Sequence, residues 1–115
     1  MEEKLKINLL LDFYGNMLTE KQRQIMSMYI ESDTSLSEIA LELNTSRQAI
    51  YDAVKSSEKL LLSFEEKLKC VERYLDNRAI IEKSIETLEG MLMVGENRRK
   101  VQKVVSNLEK VLKNQ

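Results

Sequence analysis

The stretch Ser35–Lys55, SLSEIALELNTSRQAIYDAVK, carries the signals for two short helices joined by a tight turn. Ser35 and Glu38 have the spacing of a capping box, in which each side chain satisfies a free backbone amide at the start of a helix. Asn44 tolerates the left-handed conformation that commonly ends a helix, and Ser46 is a favourable N-cap for a second one. The sequence therefore predicts one helix after Ser35 and another after Ser46.

Apolar residues fall on one side of each of these two helices. In the first helix, Ile39, Ala40 and Leu43 recur at helical spacing. The small side chain of Ala40 suits a place where two helices cross closely. The inward stripe of the second helix consists of Ala49, Ile50, Ala53 and Val54. Two short helices packed across a tight turn are typical of helix-turn-helix domains that bind DNA.

The side chains that face outward at the start of the second helix are polar. They are Ser46, Arg47, Gln48, Tyr51, Asp52 and Lys55. Arg and Gln can make paired hydrogen bonds to the edges of guanine and adenine, and Ser, Tyr and Lys suit contacts to phosphate. The candidate nucleic-acid-binding residues are therefore Ser46, Arg47, Gln48, Tyr51 and Lys55.

The charge of the chain argues against a strong DNA-binding surface. The 18 Lys and Arg residues are balanced by 19 Asp and Glu residues, which gives a net charge of −1. Phosphate contacts dominate DNA affinity, so a basic surface is the usual signature. Asp52 would repel phosphate unless it accepts a hydrogen bond from a cytosine amine. A structural helical core with a solvated polar side, or a protein-binding surface, fits the same residues.

Composition restricts the class of protein. A chain of 115 residues with 43% hydrophobic and 32% charged residues fits one folded domain. No apolar run approaches 20 residues and the N-terminus lacks the features of a secretory signal, so we expect a cytoplasmic location. The single cysteine, Cys70, cannot form an internal disulfide, and we interpret it as a packed or half-packed residue.

Nothing in the sequence indicates catalysis. The chain has no histidine, which excludes a Cys–His nucleophile. It also lacks a glycine-rich phosphate loop, a serine-nucleophile elbow and a cluster with metal-ligand spacing. The carboxylate pairs Glu38/Glu42 and Glu65/Glu66 are typical of solvated helix faces. We therefore expect no enzyme, no cofactor and no metal.

Helices are also predicted on both sides of the opening stretch. One covers residues 5–16, with Gly15 and Asn16 at its end. Another begins with the capping box of Thr19 and Gln22 and continues to about Ile30, before a polar loop at residues 31–34. The second helix of the opening stretch is expected to continue well past Lys55, because a helical period is kept by Leu60, Leu61, Phe64, Leu68 and Val71.

The last 40 residues have heptad-like spacing. In one segment the repeating apolar residues are Ile81, Ile85, Leu88 and Leu92, and in the next they are Val101, Val104, Leu108 and Val111, with Val105 and Leu112 widening the stripe. A turn signal at residues 95–97 separates the two segments. This pattern predicts an antiparallel hairpin or a coiled-coil-like arm. The whole of residues 1–115 is then one all-α domain, with a helix-turn-helix head at about 5–62 and a helical tail at about 63–115.

The apolar stripes of the tail could pack on the chain's own core or form an interface between copies. A slim helical arm buries little surface by itself, so we favour a homo-oligomer, with a dimer first. The residues Arg98, Arg99, Lys100 and Lys103 form a basic cluster in this tail. Such a cluster is either a solvated helix face or a contact to nucleic acid or another anionic partner.

Residues 18–61 resemble the fourth region of bacterial σ factors, which reads promoter −35 elements. The shared motifs are the LT-x-x-Q opening at residues 18–22, the S/T-L-x-E-I-A segment at residues 35–40, and the S-R pair at Ser46 and Arg47. The turn departs from that pattern, because Asn44 stands where Gly is usual and Thr45 where an apolar residue is usual. The resemblance places Ser46, Arg47, Gln48, Tyr51 and Lys55 at the recognition positions.

More narrowly, LLLDFYGNMLTEKQRQIMSMYIESDTSLSEIA together with SRQAIYDAVK is similar to the YlxM-like family of small bacterial proteins. The similarity covers roughly residues 5–75 and is looser in the tail. It implies a fold like σ region 4 and a regulatory role in the signal recognition particle pathway, proposed because the family's gene lies next to that of the particle's GTPase. The expected partners are thus DNA, or alternatively the particle's RNA or its GTPase.

Overall fold

The computed structural model describes residues 3–91 and 94–113. Over these residues the chain has no β-strand, which confirms the all-α prediction. Its six α-helices are α1 Glu3–Tyr14, α2 Glu20–Met26, α3 Leu36–Glu42, α4 Arg47–Leu68, α5 Cys70–Glu89 and α6 Gly95–Lys113. A 3₁₀ turn, Gly15–Met17, follows α1, and a π-helical turn, Ser27–Glu31, follows α2.

The chain divides into two compact units, which we call the head, up to Val71, and the hairpin, from Glu72 onward. The helix-turn-helix elements α3 and α4 both belong to the head. The boundary expected near residue 62 falls inside α4, because this helix runs past Lys55 to Leu68.

The head has an apolar core to which all four of its helices contribute. Among the described residues its thirteen buried hydrophobic side chains are Ile7, Leu10, Leu11, Tyr14, Leu18, Ile25, Met26, Ile39, Ala40, Ile50, Val54, Leu61 and Val71. The inward residues predicted for the helix-turn-helix divide into three groups. Ile39, Ala40, Ile50 and Val54 are buried and Leu43 and Ala53 are half-buried, whereas Ala49 is exposed.

Three of the head's helices begin at the side-chain caps that the sequence predicts. Thr19 and Ser35 each form a complete capping box with Gln22 and Glu38. The Ser46 hydroxyl oxygen accepts a hydrogen bond from the Ala49 N–H, with 3.1 Å between N and Oγ. These caps satisfy amides that the helices leave unpaired, and they fix the starts of α2, α3 and α4.

The first two helices end earlier than predicted. The helix expected over residues 5–16 stops at Tyr14, and the next residues form the 3₁₀ turn. The helix expected to reach Ile30 changes into the π-helical turn after Met26. That wider turn brings the consecutive residues Met28, Tyr29 and Ile30 against the core. An α-helix, with one buried stripe, cannot turn three consecutive residues inward.

The break between α4 and α5 lies at Lys69, whose φ of 53° is left-handed. Two side chains of the head hold this corner. The Tyr14 hydroxyl donates to Glu65 Oε1 at 2.5 Å and accepts from the Cys70 N–H at 3.0 Å. Glu65 Oε1 also accepts from the Val71 N–H at 3.0 Å. Cys70 is half-buried and packs against the core, in agreement with its interpretation from the sequence.

In the hairpin, α5 and α6 run antiparallel. The Arg78 guanidinium near the start of α5 donates to the Leu112 carbonyl oxygen near the end of α6, at 3.3 Å. At the opposite end, Leu88 and Val101 line a common groove. We call the row of apolar residues between the two helices the seam: Ile81, Ile85, Leu88, Val101, Val105, Leu108 and Leu112.

The turn of the hairpin differs from the prediction. Gly95 has a φ of 60°, a conformation that glycine adopts without strain. The next two residues, predicted to form a turn, instead belong to the first turn of α6. Leu92, expected in the apolar repeat, lies outside the described residues.

Candidate nucleic-acid interface

The turn between α3 and α4 is closed by backbone hydrogen bonds. Asn44 has a φ of 55°. Its N–H donates to the Leu41 carbonyl at 3.3 Å, and the Thr45 N–H donates to the Ala40 carbonyl at 2.9 Å. This pair of bonds is a Schellman motif, which usually places glycine at the left-handed position. Asn44 therefore provides the turn geometry that its place in the sequence predicts.

The structure brings the five candidate residues together at the start of α4. Ser46 precedes the helix as its N-cap, and Arg47, Gln48, Tyr51 and Lys55 occupy its first three turns. Each is exposed, and Tyr51 retains 41% of its accessible surface. Arg47, Tyr51 and Lys55 are four residues apart and so line one side of the helix. This side lies next to the buried stripe of Ile50 and Val54 and is exposed to solvent.

Two of the candidates already have partners within α4. The Gln48 side-chain amide donates to Asp52 Oδ1 at 2.9 Å. This bond leaves the Gln48 carbonyl oxygen as an acceptor and gives Asp52 a hydrogen-bond donor from the protein. The Lys55 ammonium lies 4.0 Å from the Glu58 carboxylate and 5.6 Å from the centroid of the Tyr51 ring. The Lys55 side chain is 57% exposed, and its two contacts are long, so both are weak.

Arg47 differs from these neighbours. Within residues 3–91 and 94–113, its guanidinium has neither a hydrogen bond nor an ion pair. It lies in the first turn of α4, where the helix dipole favours anions. An exposed guanidinium with five free donors at the start of a helix is suited to bind a base edge or a phosphate.

A shallow groove of about 270 Å³ lies beside the start of α4. It is lined on one side by Thr19 and Lys21, from the start of α2, and on the other by Thr45 and Ala49. Lys21 and Thr45 were not among the residues chosen from the sequence. Thr45 lies in the predicted turn and was within reach of sequence reasoning, whereas Lys21 comes beside α4 only through the packing of α2.

The head does not have the basic surface that strong DNA binding usually requires. Up to Val71 the sequence has nine basic and twelve acidic residues, a net charge of −3. Helix α4 alone has four of each sign. Nonspecific attraction to phosphate is therefore weak, and any affinity for nucleic acid must come from a few placed donors.

Comparison with known proteins gives the family. A family model described as "Putative helix-turn-helix protein, YlxM / p13 like" matches residues 1–104. The chain belongs to the YlxM/p13-like family. A UPF0122 protein of Clostridium acetobutylicum is 49% identical over 80 residues, which cover 70% of this chain and 69% of the relative. A UPF0122 protein of Bacillus cereus is 36% identical over 109 residues, 95% of this chain and 99% of the relative.

Membership of the YlxM/p13-like family confirms the resemblance found in the sequence and the helix-turn-helix class of the head. The family is described by its fold motif and not by a reaction. None of the described helices is long and apolar enough to cross a membrane.

Proposed function

We propose that this YlxM/p13-like protein is a regulatory protein that binds duplex DNA through the start of α4. The observation that carries the proposal is Arg47, an exposed guanidinium in the first turn of a capped helix, directly after a closed helix-turn-helix corner. In helix-turn-helix proteins the first residues of the second helix contact base edges in the major groove. The arrangement at Arg47 matches that docking geometry.

The neighbouring residues have complementary roles in this proposal. Arg47 makes a two-pronged contact to guanine, the commonest base-specific contact of proteins. The free carbonyl oxygen of Gln48 accepts a hydrogen bond from an adenine or cytosine amine. Tyr51 and Lys55, further along the same side, reach phosphate, as does the Ser46 hydroxyl. Lys21 and Thr45 extend the phosphate contacts across the groove beside α4.

The charge of the head sets the expected strength of binding. A single head with a net charge of −3 binds weakly, and a homodimer would double the number of phosphate contacts without changing any of them. We therefore expect the chain to act as a dimer in the cytoplasm, where the DNA is. We assign it no catalytic role, metal or cofactor.

A second function is favoured by the charge of α6. This helix has six basic and two acidic residues, a net charge of +4, in contrast to the acidic head. A basic helix can contact the phosphates and shape of a folded RNA without reading its sequence. The alternative is therefore an accessory of the signal recognition particle, with the particle's RNA or its GTPase as partner and no specific DNA site.

One titration separates these functions. The full chain is titrated with genomic duplex fragments and, in parallel, with the particle's RNA, at two salt concentrations. Salt-sensitive binding to a subset of the duplexes supports the DNA regulator, and stronger binding to the RNA supports the accessory. If the chain binds neither nucleic acid, both nucleic-acid functions fail, and a pull-down of the particle's GTPase tests the remaining partner.

A further inference from the structure

The two sides of the hairpin differ sharply in charge. In an antiparallel pair of helices, residues one position before the seam lie on one side of the pair, and residues one position after it lie on the other. On the first side α5 has Ile80, Ser84 and Thr87, and α6 has Lys100, Val104, Asn107 and Val111. On the second side the residues are Glu82, Glu86, Glu89, Gln102, Ser106, Glu109 and Lys113. One side thus has a single charged residue and the other has five.

The first side is also the apolar one, and it is exposed. Its three aliphatic residues, Ile80, Val104 and Val111, retain 65%, 46% and 45% of their accessible surface. A shallow depression beside Ile80 is lined by Lys83, Ser84, Thr87 and Leu88. We call this surface the uncharged face and define it by Ile80, Ser84, Thr87, Val104, Asn107 and Val111. Lys83 and Lys100 lie at its edges. In a chain with 32% charged residues, such a face indicates a surface that is covered.

The hairpin buries too little apolar surface between its two helices to be stable alone. Among its described residues only Ile85 and Val105 are buried, each at 8% exposure, and the rest of the seam is half-buried. Helices of about 20 residues are marginal in water unless an apolar face packs against another element. Covering the uncharged face would supply the missing burial for both helices at once.

We propose that the uncharged face docks against the same face of a second copy of this chain, so that two hairpins form an antiparallel four-helix bundle. Such an interface is isologous, and closed two-fold dimers are the commonest protein assemblies. Two helices about 30 Å long and about 10 Å apart present a side of roughly 600 Å². That area is of the order of the ~800 Å² that each partner buries in a stable interface.

The positive charge of α6 decides which helices meet. Helix α6 has a net charge of +4, whereas α5, apart from Glu82, Glu86 and Glu89 on the opposite side of the hairpin, has two acidic and three basic residues. When the two-fold axis runs parallel to the helices, α5 of each copy lies against α6 of the other, and the two strongly basic α6 helices are kept apart. The other two-fold arrangement would pair α6 with α6 and bring like charges together. The α5–α6 arrangement is therefore the one we assign.

The test is the mass of the full chain in solution, measured by light scattering and sedimentation equilibrium. At tens of micromolar the wild type is expected at twice the 13.4 kDa of one chain. Val104→Glu places one carboxylate from each copy in the apolar interface and is expected to raise the dimer dissociation constant at least about 100-fold. Thr87→Lys, on α5, replaces a weak helix former with a stronger one and is expected to dissociate the dimer as well.

The matched control is Gln102→Glu, which adds the same charge to α6 on the opposite side of the hairpin and should leave the dimer intact. Circular dichroism checks that all variants stay helical. A monomeric wild type, or Val104→Glu and Thr87→Lys variants as dimeric as Gln102→Glu, would overturn the proposal. The dimer needs no nucleic acid, so its failure leaves the role of α4 intact.

Discussion

The head and the hairpin are built from helices of similar sequence character, yet they bury very different amounts of surface. Thirteen hydrophobic side chains of the head form a single buried core. In the hairpin, over its described residues, two hydrophobic side chains are buried and three exposed aliphatic residues share one uncharged face. The head therefore has a core of its own, whereas the hairpin exposes the face that we propose docks against a second copy.

The head and the hairpin also expose two different kinds of surface. The head exposes a polar side at the start of α4, where side chains either have weak partners or, in the case of Arg47, none among the described residues. The hairpin exposes an apolar side with almost no charge. The first is suited to a charged ligand such as nucleic acid, and the second to another apolar surface.

The largest expected loss of stability comes from a substitution at the centre of the head's core. Leu61 is fully buried, whereas Leu62, the next residue of α4, is 42% exposed. Leu61→Ala should lower the free energy of unfolding by about 2–5 kcal/mol, and Leu62→Ala by less than about 1 kcal/mol. Urea denaturation followed by circular dichroism measures both. Similar losses from the two variants would mean that the head lacks the single core described here.

Hydrogen exchange of the monomeric Val104→Glu variant compares the two units directly. Amides of α4 between Ile50 and Leu61 should open only with the whole head, because they lie over its core. Amides of α5 and α6 should open with a free energy at least about 2 kcal/mol lower. Equal protection in both units would show that the hairpin is stable without a second copy.

A substitution at the corner near Lys69 should cause a smaller loss of stability, and the size of that loss should depend on pH. Tyr14→Phe removes the donor to Glu65 and the acceptor of the Cys70 N–H, and should cost about 1–3 kcal/mol. Burial, followed by the hydrogen bond to Glu65, raises the pKa of Tyr14 well above its ordinary value near 10. The unfolded chain therefore loses this proton first, and stability falls as the pH rises above about 10.

Tyr14→Phe should lack this component of the pH dependence, so the gap in stability between wild type and variant narrows as the pH rises above about 10. Unfolding by urea at several pH values measures the gap. A gap that stays constant to high pH would show that Tyr14 does not keep its proton in the native state.

The smallest predicted change is a gain in the stability of the head. Ser57 of α4 is fully buried, and among the described residues its hydroxyl has no hydrogen-bond partner. Ser57→Ala removes a buried unpaired group and improves helix propensity, so the head should become about 1 kcal/mol more stable. A loss of stability would show that the hydroxyl has a partner in solution.

The helix-turn-helix was predictable because its signals are local. Ser35, Asn44 and Ser46 each act on residues within a few positions, so their roles can be read from spacing alone. The break at Lys69 was not predictable. No Gly or Pro marks it, and the groups that hold it include Tyr14, which lies 56 residues before Cys70. The π-helical turn after Met26 was not predictable either, because it depends on the packing of Met28, Tyr29 and Ile30 against core residues that are distant in the sequence.

The candidate interface was predictable to a similar extent. The exposed side of α4 follows from the helical period, and the structure places all five chosen residues on the exposed surface at the start of that helix. The contact of Gln48 with Asp52 spans one helical turn and was within reach of the sequence. Lys21 was not, because only the packing of α2 beside α4 brings it to the same groove.

The most direct test of the account is the affinity of Arg47→Ala for the duplex fragment that wild type binds best, measured by fluorescence anisotropy. The matched control is Lys67→Ala, which removes one exposed positive charge from the last turn of the same helix. We expect Arg47→Ala to bind at least about 10-fold more weakly, with stability unchanged within about 0.5 kcal/mol, and Lys67→Ala to bind almost as wild type. If Arg47→Ala binds as tightly as Lys67→Ala, the start of α4 is not the nucleic-acid interface.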